Sequence, residues 1–185
     1  MLVEPIKNKK DIQLIKKLLA DNPRNLAIFT LGINTNLRAG DLLKIKIKDV
    51  RYLEPGEHFN LGENKTGKKR TITINKTVYE AIQKLLRSMK TITDEDCLFQ
   101  SRKGKEKLTV PYLNNLVKSW CKTINLKGNY GCHTLRKTFG YMHRTKFNTD
   151  MPTLMTMFNH DSQKQTLTYL CIQPEDIKDA YLCEI

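Results

Sequence analysis

One stretch of this 185-residue chain departs from helical periodicity, and that departure limits the fold more than any other feature. Ile45-Lys46-Ile47-Lys48 and Thr71-Ile72-Thr73-Ile74 alternate apolar and polar residues, the pattern of half-buried strands. Between them, Asn64-Lys65-Thr66-Gly67-Lys68-Lys69 is a polar, glycine-bearing turn. The expectation is a small antiparallel sheet with a basic hairpin tip, set in a chain that otherwise reads as helix. Ile12, Ile15, Leu18 and Leu19 share one helical face. Asn22-Pro23 reads as an N-cap followed by proline at the first helical position, and the helix runs through Leu26, Phe29 and Leu31 toward Thr35. Asn34-Thr35-Asn36 breaks it, and Arg38 to Leu43 reads as a short helix after a turn. Asn75 caps a helix with Val78, Ile82, Leu85, Leu86 and Met89 on its apolar face. Another helix follows Thr109, with Leu113, Leu116, Val117, Trp120 and Ile124 turned inward. Residues 133–146, about 151–158, 163–170 and 174–182 read as further helices. The fold class is mainly α with a small antiparallel β-sheet, in one domain over residues 1–185.

Composition narrows the partner. Thirty-two Lys and Arg against 19 Asp and Glu leave a net charge of +13, which favours a polyanion, with nucleic acid the first candidate. No apolar run approaches the roughly 18 residues of a membrane span, and the start of the chain has no apolar signal core. Cys97, Cys121, Cys132, Cys171 and Cys183 are odd in number, without a closely spaced pair. They argue against a disulfide framework and a zinc site and fit a reducing cytoplasm.

The candidate chemistry lies in Arg38, Lys65, His133, Arg136, His160 and Tyr169. The last four fall in three tight groups: Gly131-Cys132-His133-Thr134-Leu135-Arg136, Asn159-His160-Asp161 and Thr168-Tyr169-Leu170. A late tyrosine preceded by cations suits attack on a phosphodiester, with the charge of the five-coordinate state neutralised by protein. Arginine binds non-bridging oxygens in a bidentate fork and stays protonated, so Arg38 and Arg136 would form a clamp. The bland reading of Arg38 is a helix-start surface residue paired with Asp41; that of Arg136 is a solvent-facing helix residue. His133 titrates near neutrality and could bond the phosphate or accept the tyrosine proton. His160 should donate to a non-bridging oxygen. His58 and His143 match no motif and read as structural or surface residues. Tyr52, Tyr79, Tyr112, Tyr130, Tyr141 and Tyr181 lack a histidine nine residues upstream; Tyr169 has one.

These motifs, in order and with these gaps, resemble the catalytic domain of the tyrosine recombinases, the phage integrase family. Leu31 to Leu43 is similar to the first arginine motif, with Asp41 where that family usually carries an acid. Asn64-Lys65-Thr66-Gly67 is similar to its hairpin lysine motif, His133 with Arg136 to its central box, and His160 with Tyr169 to its second histidine and nucleophile. The likeness covers nearly the whole chain. Three positions depart from it. Asn159 stands where glycine is common, and asparagine tolerates the left-handed turn. Asp161 replaces a common serine and either keeps His160 cationic or points away. Lys137 follows Arg136 where histidine is frequent, a change expected to be harmless.

The resemblance implies strand cleavage and rejoining on double-stranded DNA. Tyr169 would form a 3′-phosphotyrosyl link and Lys65, with Lys68 and Lys69 as rivals, would protonate the leaving 5′-oxygen. No cofactor, metal or small-molecule substrate is implied; self-association to a tetramer on DNA is. The alternatives are a type IB topoisomerase-like relaxing enzyme and a non-catalytic DNA-binding module. The expected location is the cytoplasm. The separate N-terminal domain usual in the family is expected to be absent, the chain being either a fragment or a minimal protein. Residues 174–182 would dock on their own domain or on a neighbouring protomer.

Overall fold

A computed structural model of the chain describes residues 3–62, 69–101, 106–171 and residue 182. Within them the order is α1 (Lys9–Leu18), α2 (Pro23–Asn34), α3 (Ala39–Leu42), α4 (Ile47–Val50), β1 (His58–Gly62), β2 (Lys69–Thr73), α5 (Lys76–Ser88), α6 (Val110–Thr123), α7 (Cys132–Lys146), α8 (Met151–Phe158) and α9 (Gln163–Leu170). The mainly helical class with one small antiparallel sheet is as expected, and the helix starts follow their caps. Asn22 accepts from the Asn25 amide at 3.1 Å, Asn75 from Val78 at 2.9 Å, and Thr109 from Tyr112 at 3.3 Å. Each satisfies an amide that a helix start leaves bare, worth about 1 kcal/mol. The helix expected over 174–182 lies outside the described residues.

The first strand is a correction. Ile45-Lys46-Ile47-Lys48 is not a strand of the hairpin. Lys46 makes an isolated bridge to Cys97, and the chain then turns into α4. Asp49 decides this: its carboxylate accepts from the Lys46 amide at 2.8 Å, the hydrogen bond of a helix first turn. Ile47 and Val50, three apart, are then both buried. The real partner of β2 is His58–Gly62, paired antiparallel from His58 with Thr73 to Gly62 with Lys69. Phe59 and Leu61 point inward from β1, and Ile72 is the buried residue of β2.

Helix α7 is the centre of the fold. It packs on α2, α6, α8 and α9. Gly32 lets α2 approach, since a Cβ there would lie 2.6 Å from Leu135 Cδ1, well inside carbon contact. The segment before α1 is stitched to the same helix: the Ile6 amide donates to Thr138 Oγ1 and the Thr134 hydroxyl to the Glu4 carbonyl, each at 2.8 Å. The main core gathers α1, α2, the sheet, α5, α6 and the first half of α7. A smaller cluster of Phe139, Leu154, Phe158 and Leu170 joins α7, α8 and α9, with Tyr169 packed on it. That second cluster is the floor of the candidate site.

Candidate active site

Arg136 sits in the first turns of α7 and is 1% exposed, so it is not the solvent-facing helix residue of the bland reading. Its Nη2 donates to the Phe158 carbonyl at 2.7 Å. Its guanidinium carbon lies 5.1 Å from the Phe158 ring centre and 5.6 Å from that of Tyr169. The carbonyl that receives it belongs to the last residue of α8, where helix carbonyls are left over and the dipole is negative.

His160 follows directly. α8 ends with Asn159 in the left-handed conformation (φ 53°, ψ 51°), so asparagine carries the turn as expected. The His160 amide then donates to the Met155 carbonyl at 3.0 Å. Its ring stacks on Phe158 at 5.0 Å and meets the Tyr169 ring edge-on, also at 5.0 Å. Nδ1 lies 3.1 Å from the Thr166 hydroxyl on α9. When that hydroxyl donates to Nδ1, Nε2 carries the proton and is a donor. Burial and the charges of Arg136, Arg38 and, more weakly, Arg70 push the His160 pKa down to about 4. Asp161 opposes them without prevailing, so His160 is neutral at pH 7 in the free protein rather than held cationic.

Tyr169 is the penultimate residue of α9, whose N-terminus is capped by Ser162. Its ring is partly buried among Phe158, His160 and Arg136. Its rivals are elsewhere. Tyr52 and Tyr112 are exposed and Tyr130 is buried, with the Tyr130 hydroxyl donating to the Lys127 carbonyl. Tyr79 reaches Glu54 at 3.5 Å, and Tyr141 lies against Lys7. Tyr181 is outside the described residues.

Arg38 occupies the N-cap position of α3 and is half-buried. Asn36 shapes the turn before it, in the left-handed conformation with φ 53°, and its Nδ2 donates to the Met157 carbonyl at 2.8 Å. His133 is exposed at the second position of α7. Partial burial of its ring, then the charges of Arg136 and Lys137, hold its pKa below the ordinary histidine value. Arg136, Arg38 and His160 are thus electrostatically one group, with Tyr169 against two of them and His133 at the rim. Lys65, Lys68 and the turn that carries them lie outside the described residues. His143 is structural, bonded to Thr149 at 3.1 Å and packed on Phe139; His58 is an exposed residue of β1. Among the described residues, no three His, Cys, Asp or Glu side chains gather as a metal site.

Four contributors stand outside the candidate set. Asn36 and Thr166 position Arg38 and His160. Arg70, on β2, donates to the Met157 carbonyl and so latches the hairpin to α8. Lys137 was expected to be inconsequential, yet it is 4% exposed, with Nζ 5.6 Å from the Tyr169 ring centre and 3.4 Å from Cys171 Sγ. The alternation of β2 marks Arg70 only as inward or outward, Asn36 and Lys137 depend on contacts with residues distant in sequence, and Thr166 depends on the turn that folds α9 back on His160.

Known proteins share this arrangement of elements. A crystal structure of XerA recombinase superposes with a TM-score of 0.78 at 19% identity, over 98% of this chain and 65% of that one. The XerH site-specific recombinase bound to palindromic difH substrate gives 0.77 at 20% identity, over 94% and 51%. In sequence, the probable integrase/recombinase YoeC of Bacillus subtilis is 32% identical over 181 residues, 97% of this chain and 96% of that protein. Tyrosine recombinase XerC of Caldanaerobacter subterraneus is 31% identical over 173 residues, 89% of this chain but 47% of its own length. The chain therefore spans nearly all of the first relative and about half of the second. Residues 7–175 match the phage integrase family, and with a 32% identical relative aligned end to end, the chain belongs to that family.

Proposed function

We propose that this protein is a site-specific DNA recombinase that cuts and rejoins strands through Tyr169. The observation that carries the reading is the gathering of a buried arginine, a neutral histidine and the tyrosine ring over one small apolar cluster. The Tyr169 oxygen attacks phosphorus and its proton passes to His133 as the base; the bond from phosphorus to the 5′-oxygen breaks. Lys65 supplies the proton to that oxygen. Arg38 and Arg136 take the non-bridging oxygens, and His160 donates a third hydrogen bond. Preorganised donors of this kind are the largest catalytic term in many enzymes. A 5′-hydroxyl from the exchanging strand reverses the step, and the phosphotyrosyl bond conserves its energy. The charge of +13 supplies phosphate contacts.

Exchange between two duplexes uses four such sites, so the working form is a tetramer on DNA, with residues 174–182 docking one protomer on the next. Residues 1–185 act as the catalytic domain. A DNA enzyme of this kind works in the cytoplasm, and no helix among the described residues is long and apolar enough to cross a membrane. The test is a nicked suicide duplex resolved on a denaturing gel. The wild type should form a covalent adduct and Tyr169→Phe none, with DNA binding retained. An adduct mapping to Tyr141 or Tyr181 would overturn the assignment, and relaxation of supercoils without strand exchange would favour the topoisomerase-like alternative.

A further inference from the structure

Lys137 is a buried side chain that packs against a sulfur and an aromatic ring. Its ammonium meets the Cys171 sulfur at 3.4 Å and the face of Tyr169 at 5.6 Å, and among the described residues no carboxylate pairs with it. Taking an ammonium out of water is expensive unless something repays it, and a thiol with one aromatic face repays little. The cation lies over the ring whose oxygen will carry negative charge. On attack, the Tyr169 oxygen sheds its proton, and on reversal the same oxygen leaves phosphorus carrying the electron pair. Arg136 and Lys137 both stand 5.6 Å from the ring centre, Arg136 bonded to the Phe158 carbonyl and Lys137 to the Cys171 sulfur at the end of α9. Cys171 closes α9 in the left-handed conformation (φ 51°, ψ 41°). A lysine there also favours the negative end of the helix dipole.

We infer that Lys137 is a positioning residue for the nucleophile: it fixes the end of α9 and stabilises the charge on Tyr169 in both cleavage and rejoining. The inference rests on Tyr169 being the nucleophile. It deepens that reading, because it assigns the charge of the attacking atom to a residue other than the phosphate clamp. The role is electrostatic, so charge at position 137 matters more than shape. Because the same charge appears in both directions, losing the cation should slow cleavage and rejoining alike, leaving the fraction of cleaved DNA at equilibrium unchanged.

The experiment compares wild type, Lys137→Met and Lys137→Arg in the full chain on the nicked suicide duplex, under single turnover with DNA pre-bound. Lys137→Met should cleave at least about tenfold more slowly, with DNA affinity within about twofold of wild type and its pH–rate profile displaced to the alkaline side. Lys137→Arg should recover most of the rate. Wild-type cleavage by Lys137→Met would overturn the inference, as would equal losses in the two variants, which would mark a packing role. If Lys137→Met fails to fold, Lys137→Gln decides by the same rate and pH readouts. A wild type that forms no adduct at Tyr169 overturns this inference together with the proposed function. An adduct at Tyr169 with an unaffected Lys137→Met overturns this inference alone.

Discussion

Acid should destabilise the protein through His160 by an amount large enough to isolate. Its pKa is down to about 4 in the folded chain against an ordinary 6.5. Between those values the unfolded chain holds a proton that the folded chain lacks, so acidification favours unfolding. The contribution is whole above about pH 6.5 and is lost as the pH falls toward 4. Each tenfold difference in proton affinity is about 1.4 kcal/mol, giving about 3 kcal/mol in full and about 2 kcal/mol by pH 5. His133 and His143 are also held low, chiefly by burial, and shift stability in the same direction. The clean measurement is therefore a difference: urea unfolding of wild type and His160→Gln at pH 8 and pH 5. Glutamine can still bond Thr166 and does not titrate. Wild type should lose about 2 kcal/mol more than the variant over that interval, or about 4–8 °C in Tm for a domain of this size. Equal losses would refute the argument, and would mean that the His160 ring finds water or an acid in solution.

Three further outcomes follow from other parts of the site. Gly140→Ala would place its Cβ 2.6 Å from Phe158 Cζ, so it should cost about 1–3 kcal/mol in thermal unfolding and, by tilting the ring beneath His160, slow cleavage as well. Arg136→Lys should cut single-turnover cleavage on the order of 10²-fold, since an ammonium cannot span both the Phe158 carbonyl and a phosphate oxygen. Lys65→Ala should impair ordinary DNA far more than DNA with a bridging 5′-phosphorothiolate, whose leaving group needs no proton; equal losses on a cleavage gel would shift attention to Lys68 and Lys69.

Local signals carried most of the fold. Asn22, Asn75 and Thr109 announce their helices because a cap is a contact between near neighbours, and α7 to α9 follow apolar spacing closely. The misplaced strand shows the limit of alternation. Ile45 and Ile47 fit a strand as well as β1 does, and one carboxylate, Asp49, tips them into a helix start. The site divides the same way. Arg136, His160 and Tyr169 stand in recognisable order and do meet in space. The depressed affinity of His160 for protons was not legible, because it comes from burial and then from Arg136 and Arg38, which only the fold brings near, while the adjacent Asp161 acts the other way. Lys137 carries no such sign because burial runs unbroken from Thr134 to Gly140, and a helix enclosed on every side shows no polar face to read.

The end of α8 has a consequence for how the site meets DNA. Its last two carbonyls receive Asn36 from the turn before α3, Arg70 from the hairpin and Arg136 from α7. These are dipoles, and they orient without neutralising. A carboxylate in the same place would hold a guanidinium as firmly but cancel its field, and an arriving phosphate would have to displace an ion pair before feeling any attraction. A peptide dipole aims a guanidinium without itself removing its charge, so these carbonyls set the side chains before any phosphate arrives. The scissile phosphate would then find ligands that require little rearrangement.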